Sequence, residues 1–216
     1  MRFQTFLFDL DGTLVDQFEA IHRAHARTMR EFGLPPPTRE QVRRAVGLGL
    51  EHAVAQLFGP AHAALVPQAL PVYRAHWAAT MLDDVKLMPG AAALLGELKR
   101  RLCRIAVVTN KHGPSARQVC AHLHLDIAPA DVFGAEDTPW LKPDRRFLDH
   151  VMTALGAGPA ATLLVGDSPY DVLAAHHAAL PCWCVATGTH TADELRAAAA
   201  DAVYAGLPEL GAALGL

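Results

Sequence analysis

The chain of 216 residues is 51% hydrophobic and 19% charged, with 19 Lys and Arg against 22 Asp and Glu and a formal charge of -3. Such a composition supports a sizeable core and excludes both whole-chain disorder and a collagen-like repeat. The mild acidity, without any basic block, disfavours nucleic acid as a partner, and no apolar run approaches the roughly 18 residues of a membrane helix.

The first apolar stretch, Phe3 to Phe8, stops at Asp9, Asp11 and Gly12. It predicts a strand opening into a loop, and the two acids argue against an export signal. Ile21, His25, Thr28 and Phe32 follow at helical spacing, with Gly33 as a stop. Pro35-Pro36-Pro37 enforces extended backbone. A further helical stretch begins near Thr38, pauses at Gly47-Leu48-Gly49 and continues through Leu57. Another spans Pro71 to about Met81.

Pro89-Gly90 is a break, after which Leu94, Leu95, Leu98 and Leu102 predict one helical face. Ile105 to Val108 reads as a buried strand ending at Thr109-Asn110. Pro114 and Pro143 are each placed to open a helix, the second with Phe147, Leu148, Val151 and Leu155 inward. Thr162 to Val165 predicts a strand ending at Gly166-Asp167, and Pro169 the start of the next helix. Cys182 to Val185 is a further strand. Thr191 to Glu194 has capping-box spacing before an alanine-rich helix, and Ala202 to Tyr204 is a last short strand.

From residue 85 onward strands and helices alternate, which predicts an α/β fold: a Rossmann-like parallel sheet core with helices on both faces. Residues 16–84 break the alternation and are nearly all helical. They are expected to form a helical cap inserted into a core made of residues 1–15 and 85–216.

In such sheets ligands sit beyond the carboxyl ends of the strands, and three of these ends carry reactive residue types. Asp9 and Asp11, two apart, point to one side of extended backbone. Two close carboxylates raise one another's proton affinity unless a cation intervenes, and Mg2+ prefers such oxygen ligands. Gly12 frees backbone amides to face a phosphate. Taken alone, Asp-x-Asp-Gly is equally a solvated turn. Thr109, Asn110, Lys142, Asp167 and Asp171 add a hydroxyl, an amide, a cation and two carboxylates, although a helix cap or a solvated lysine is the bland reading of each.

Phe8-Asp9-Leu10-Asp11-Gly12-Thr13-Leu14-Val15-Asp16 resembles the first motif of the haloacid dehalogenase superfamily. Val107-Val108-Thr109-Asn110-Lys111 resembles the second, Lys142-Pro143 the third, and Val165-Gly166-Asp167-Ser168-Pro169-Tyr170-Asp171 the fourth. The insert is similar to the helical cap of the phosphoglycolate phosphatase-like subgroup. Arg145 stands where that subgroup often has a second proline. The resemblance implies a Mg2+-dependent phosphatase acting on a small phosphomonoester, phosphoglycolate first among the expectations. Asp9 would be the nucleophile that forms an aspartyl-phosphate, and Asp11 the general acid/base. Gly12, Thr13, Thr109 and Asn110 would hold the phosphoryl group, while Lys142 neutralises its charge. Asp9, Asp167 and a backbone carbonyl at Leu10 or Asp11, favouring Asp11, would hold the metal, oriented by Asp171.

The same motifs imply a sugar phosphomutase, or a phosphatase for a nucleotide or sugar phosphate, as alternatives. A non-catalytic phosphometabolite sensor would not need the proton donor Asp11 or Lys142. Substrate choice is expected from the cap. Arg44, just before Gly47-Leu48-Gly49, is a candidate for a substrate carboxylate or second phosphate, against the plainer reading of Arg43 and Arg44 as a solvated helix face. His122, His124, His176 and His177 lack structural zinc spacing. The protein is expected to be cytoplasmic, with its four cysteines reduced, and to work as a monomer or homodimer on a small-molecule phosphate ester.

Overall fold

The computed structural model describes residues 2–216. Strand β1 (Thr5–Phe8) and the short β2 (Val15–Asp16) lead into four helices, α1 (Phe18–Glu31), α2 (Arg39–Ala45), α3 (Leu50–Phe58) and α4 (Val66–Thr80). The strand β3 (Lys86–Leu87) returns antiparallel to β2, pairing Val15 with Leu87 and Asp16 with Lys86. Then come α5 (Ala91–Arg100), β4 (Arg104–His112), α6 (Gly113–His122), β5 (Val132–Ala135), α7 (Arg145–Leu155) and β6 (Thr162–Gly166). The chain closes with α8 (Pro169–His177), β7 (Cys182–Val185), α9 (Ala192–Ala197), β8 (Ala202–Tyr204) and α10 (Leu207–Ala213). No described helix is long and apolar enough to cross a membrane.

The main sheet runs β5-β4-β1-β6-β7-β8 with every neighbouring pair parallel. A central parallel strand must be apolar on both faces, and all four residues of β1 are buried. Side chains alternate across the sheet. Phe6, Phe8, Ile105, Val107, Leu163 and Val165 pack with α5, α6 and α10. Leu7, Ala106, Val108 and Leu164 pack on the other face with α7, α8 and α9. The α/β core thus has helices on both faces, as its alternating pattern predicts.

The strand order reverses beside β1: the chain goes outward to β4 and β5 on one side, then to β6, β7 and β8 on the other. Loops diverge at such a point and leave a crevice at the carboxyl ends. Register sets the level of that crevice, because Phe8 pairs with both Val107 and Val165. Asp9 follows one residue later, Thr109 and Asp167 two residues later, so all three emerge at one rim.

Several sequence expectations shift. The α5 helix ends at Arg100, and Leu102 is not on its inner face: it has a φ of 60° and is 93% exposed. Pro143 does not open α7. Asp144 is the N-cap, and its carboxylate accepts a bond from the Arg146 amide at 3.0 Å, so the helix begins at Arg145. The α4 helix starts earlier than expected, at Val66, and runs through Pro71. Losing that one amide donor does not stop a helix whose Ala69, Tyr73 and Trp77 are buried. Strands β2, β3 and β5 and helix α10 carry no periodicity long enough to read. Thr191 does form its capping box with Glu194.

Candidate active site

Lys142 is 4% exposed and reaches the rim from the loop before α7. Its ammonium donates to Asp9 Oδ1 at 2.8 Å and to Asp171 Oδ1 at 2.7 Å. Burial alone would lower the lysine's proton affinity, but the Asp171 and Asp9 carboxylates outweigh it and hold the group charged, above its ordinary value. The other Asp171 oxygen accepts from the Ser168 hydroxyl at 2.6 Å and from the Ser168 amide at 3.1 Å. Asp171 therefore closes the first turn of α8 while it orients the lysine.

Asp167 lies across the crevice, fully buried at 1% exposure. Oδ1 accepts from the Thr13 hydroxyl at 3.1 Å, and Oδ2 from the Thr189 amide at 2.7 Å and its hydroxyl at 3.0 Å. Its surroundings demand glycine on two sides. A Cβ on Gly12, where φ is 90°, would stand 2.7 Å from Asp167 Oδ2, and one on Gly188 would collide with the same carboxylate.

One carboxylate oxygen each from Asp9, Asp167 and Asp171 can lie within 4.8 Å of the others. Burial pushes Asp9 up to about 6 despite the neighbouring lysine. Burial, then Asp9 and Asp171, push Asp167 well above the usual carboxylate range. Three carboxylates against a single ammonium leave negative charge uncompensated, and an all-oxygen donor set suits a hard divalent cation. The residues present fit a metal.

Asp11 stands apart from this cluster. Its Oδ2 accepts from the Lys111 ammonium at 2.8 Å, while its buried Oδ1 has no partner. The Leu10 carbonyl is taken by the amides of Thr13, Leu14 and Val15. Thr109 is buried and its hydroxyl accepts from the Lys111 amide at 3.2 Å. The Asn110 side chain is committed to scaffolding: it bridges the Lys142 backbone and the Gly47 carbonyl at 2.8 Å each.

Above the rim, the helical insert roofs a cavity of about 510 Å³ that opens to solvent. Asp9, Asp11, Thr109, Asn110 and Lys111 form its floor, and Ile21, His25, Tyr73, Trp77 and Met81 its roof. Arg44 is not on this wall. Its guanidinium binds Glu40 at 3.0 Å and Glu194 at 2.9 Å and reaches the Thr189 carbonyl, while Arg43 donates to the Gly188 carbonyl at 2.7 Å. Both arginines tie the insert to the loop that holds Asp167. This differs from the expected substrate contact because the acidic partner, Glu194, lies 150 residues away and only folding brings it near.

Sequence reasoning brought Asp9, Asp11, Gly12, Thr13, Thr109, Asn110, Lys142, Asp167 and Asp171 to one rim. It overlooked Ser168, whose spacing to Asp171 is a readable capping box. It also gave no role to Lys111, Gly188 or Thr189. Position alone hints at the last two, which follow a strand end.

This is a doubly wound α/β protein with an acid-and-lysine cluster at its switch point and a helical insert over it. The chain belongs to the haloacid dehalogenase-like hydrolases, whose family model matches residues 6–185. It is 34% identical to a phosphoglycolate phosphatase of Rhodospirillum rubrum over 97% of this chain and 90% of that protein. It is 28% identical to a 5'-nucleotidase of Pseudomonas aeruginosa over 91% of this chain and 89% of that one. A solved haloacid dehalogenase-like family hydrolase from Streptococcus pneumoniae shares the fold, with a TM-score of 0.86 at 23% identity over 99% of both chains. The protein is an enzyme, a phosphoric monoester hydrolase of the phosphoglycolate phosphatase-like subgroup.

Proposed function

We propose that the protein hydrolyses a small-molecule phosphomonoester in two steps through an aspartyl-phosphate on Asp9, with Mg2+ as its cofactor. Residues 1–15 and 85–216 act as the catalytic core and 16–84 as its cap. The observation that carries this reading is the convergence of Asp9, Lys142, Asp167 and Asp171 on one rim beneath a cavity roofed by the helical insert.

Asp9 attacks phosphorus in line, and its carboxylate oxygen forms the new P–O bond as the ester P–O bond breaks. Asp11 passes a proton to the departing alkoxide. In the second step Asp11 takes a proton from water, which attacks the same phosphorus and returns Asp9 as a free carboxylate. The Lys111 ammonium donates to Asp11 Oδ2 at 2.8 Å and so fixes where this carboxyl group stands beside Asp9. Thr109 and the Asn110 amide are suited to hold the phosphoryl oxygens, the Gly12 and Thr13 amides being taken by the Val15 and Leu10 carbonyls, and Lys142 offsets the charge on Asp9 and the transferring group. Asp9, Asp167 and the Asp11 carbonyl would hold Mg2+, with Asp171 positioned behind them. Bound there, the ion supplies electrostatic stabilisation of the phosphoryl charge. The Leu10 carbonyl, already taken by three amides, is the poorer ligand.

The relatives make phosphoglycolate the first ester to assay. A cytoplasmic setting belongs to this reading, supported by four cysteines that form no disulfide. Asp9→Asn is expected to abolish phosphate release from every ester while leaving the melting temperature close to wild type. A substituted protein that still turns over at the wild-type rate would remove Asp9 as nucleophile.

A further inference from the structure

The roof of the cavity is aromatic and its cations are spoken for. Tyr73 and Trp77 lie one turn apart on α4, with ring planes 7° apart and centroids separated by 6.2 Å. His25, from α1, lies 4.3 Å from the Tyr73 ring. Ile21 and Met81 complete an apolar rim. A volume of about 510 Å³ would be mostly water around a two-carbon acid.

Charge points the same way. The two cationic side chains on the wall are Lys111, bound to Asp11 at 2.8 Å and lying 4.4 Å over the Trp77 ring, and Arg74, bound to Glu136 at 2.8 Å. The other charged groups facing the space are the carboxylates of Asp9, Asp11, Glu51 and Glu136, with His112 set against Glu136. A carboxylate on the leaving group would meet no free cation there. His25 does not supply one, because burial pushes its imidazole down to about 3 and keeps it neutral. Its Nδ1 is nevertheless a buried polar atom without a partner, on a side chain that is 2% exposed. That nitrogen has no accessible surface, so a ligand meets the imidazole at its other nitrogen, which makes no hydrogen bond among the described residues.

We propose that this cavity takes the leaving group of an uncharged heteroaromatic phosphomonoester, its ring against the Tyr73–Trp77 face and a ring heteroatom or hydroxyl hydrogen-bonded to His25. The proposal rests on the phosphatase reading above and names the substrate class for that same site.

The test compares 3-pyridylmethyl phosphate, benzyl phosphate and phosphoglycolate, three esters of alkyl alcohols, on the Mg2+-replete full chain. Both ring esters are expected to exceed phosphoglycolate in kcat/KM by about tenfold or more, the pyridyl ester ahead of the benzyl ester. His25→Phe should bring the pyridyl and benzyl values together through KM. Tyr73→Leu should raise KM for both ring esters about fivefold and lower their lead over phosphoglycolate. Phosphoglycolate turned over as well as, or better than, the ring esters by wild type would overturn the inference and leave the phosphatase reading standing. No hydrolysis of any of the three would overturn both. A pyridyl-to-benzyl ratio unchanged in His25→Phe, in a protein that still cleaves phosphoglycolate, would remove His25 from recognition.

Discussion

The floor and the roof of the cavity differ in how their polar atoms are treated. On the floor, Asp9, Lys142, Asp171 and Ser168 form one continuous chain of charge-assisted bonds, and Asp167 is gripped on both oxygens by Thr13 and Thr189. The roof offers ring faces, methyl groups and the edge of the neutral His25 imidazole. Apart from Asp11 Oδ1, which has no partner, the floor is tightly bonded and stiff, which suits groups that must meet one phosphorus atom in line. A roof of separate side chains on α1 and α4 can change its fit without disturbing that alignment. On the proposed reading, the chemistry resides in the floor and the choice of ester in the roof.

The sharpest way to break this contrast is to cut the chain of charges in the floor. Lys142→Met leaves Asp9 and Asp171 facing each other in a buried site with no cation. It should cost about 3–5 kcal/mol of stability, read from urea unfolding, together with almost all activity. A variant of wild-type stability would show that the lysine is not what holds these two acids together.

Acid should strain the roof. The folded His25 titrates near 3 against an ordinary value of 6.5, so below about 6.5 the unfolded chain binds this proton before the folded one does. Its neutral burial is tolerated fully above that range and progressively penalised as pH falls toward 3. The urea midpoint should therefore drop on acidification, and drop less in His25→Phe. Equal pH slopes in the two proteins would mean that the imidazole is not held neutral in the fold.

The smallest effect is expected at the seam between the two regions. Arg44 is about one-third exposed and spends its charge on Glu40 and Glu194. Arg44→Ala should change KM by less than about twofold, equally for phosphoglycolate and for uncharged esters. A rise in KM confined to acidic esters would return this arginine to the substrate and weaken the division between floor and roof.

How much of this was legible in the sequence depends on chain distance. The chain itself carries the apolar runs of β1, β4, β6 and β7, the acids that terminate β1 and β6, and the turn at Gly12, because each depends on residues only a few positions apart. Those runs specify a parallel sheet, and a parallel sheet presents its strand ends together; the nine residues gathered at the rim follow from that. Short β2 and β3 have no pattern of their own and exist only as each other's partner. The pairing of Lys111 with Asp11, of Arg44 with Glu194, and of Thr189 with Asp167 was decided by tertiary structure alone. So was the meeting of His25 with Tyr73, 48 positions further along the chain. A side chain's periodicity records which face is buried; which distant atom waits on that face is settled only when the helices and loops dock.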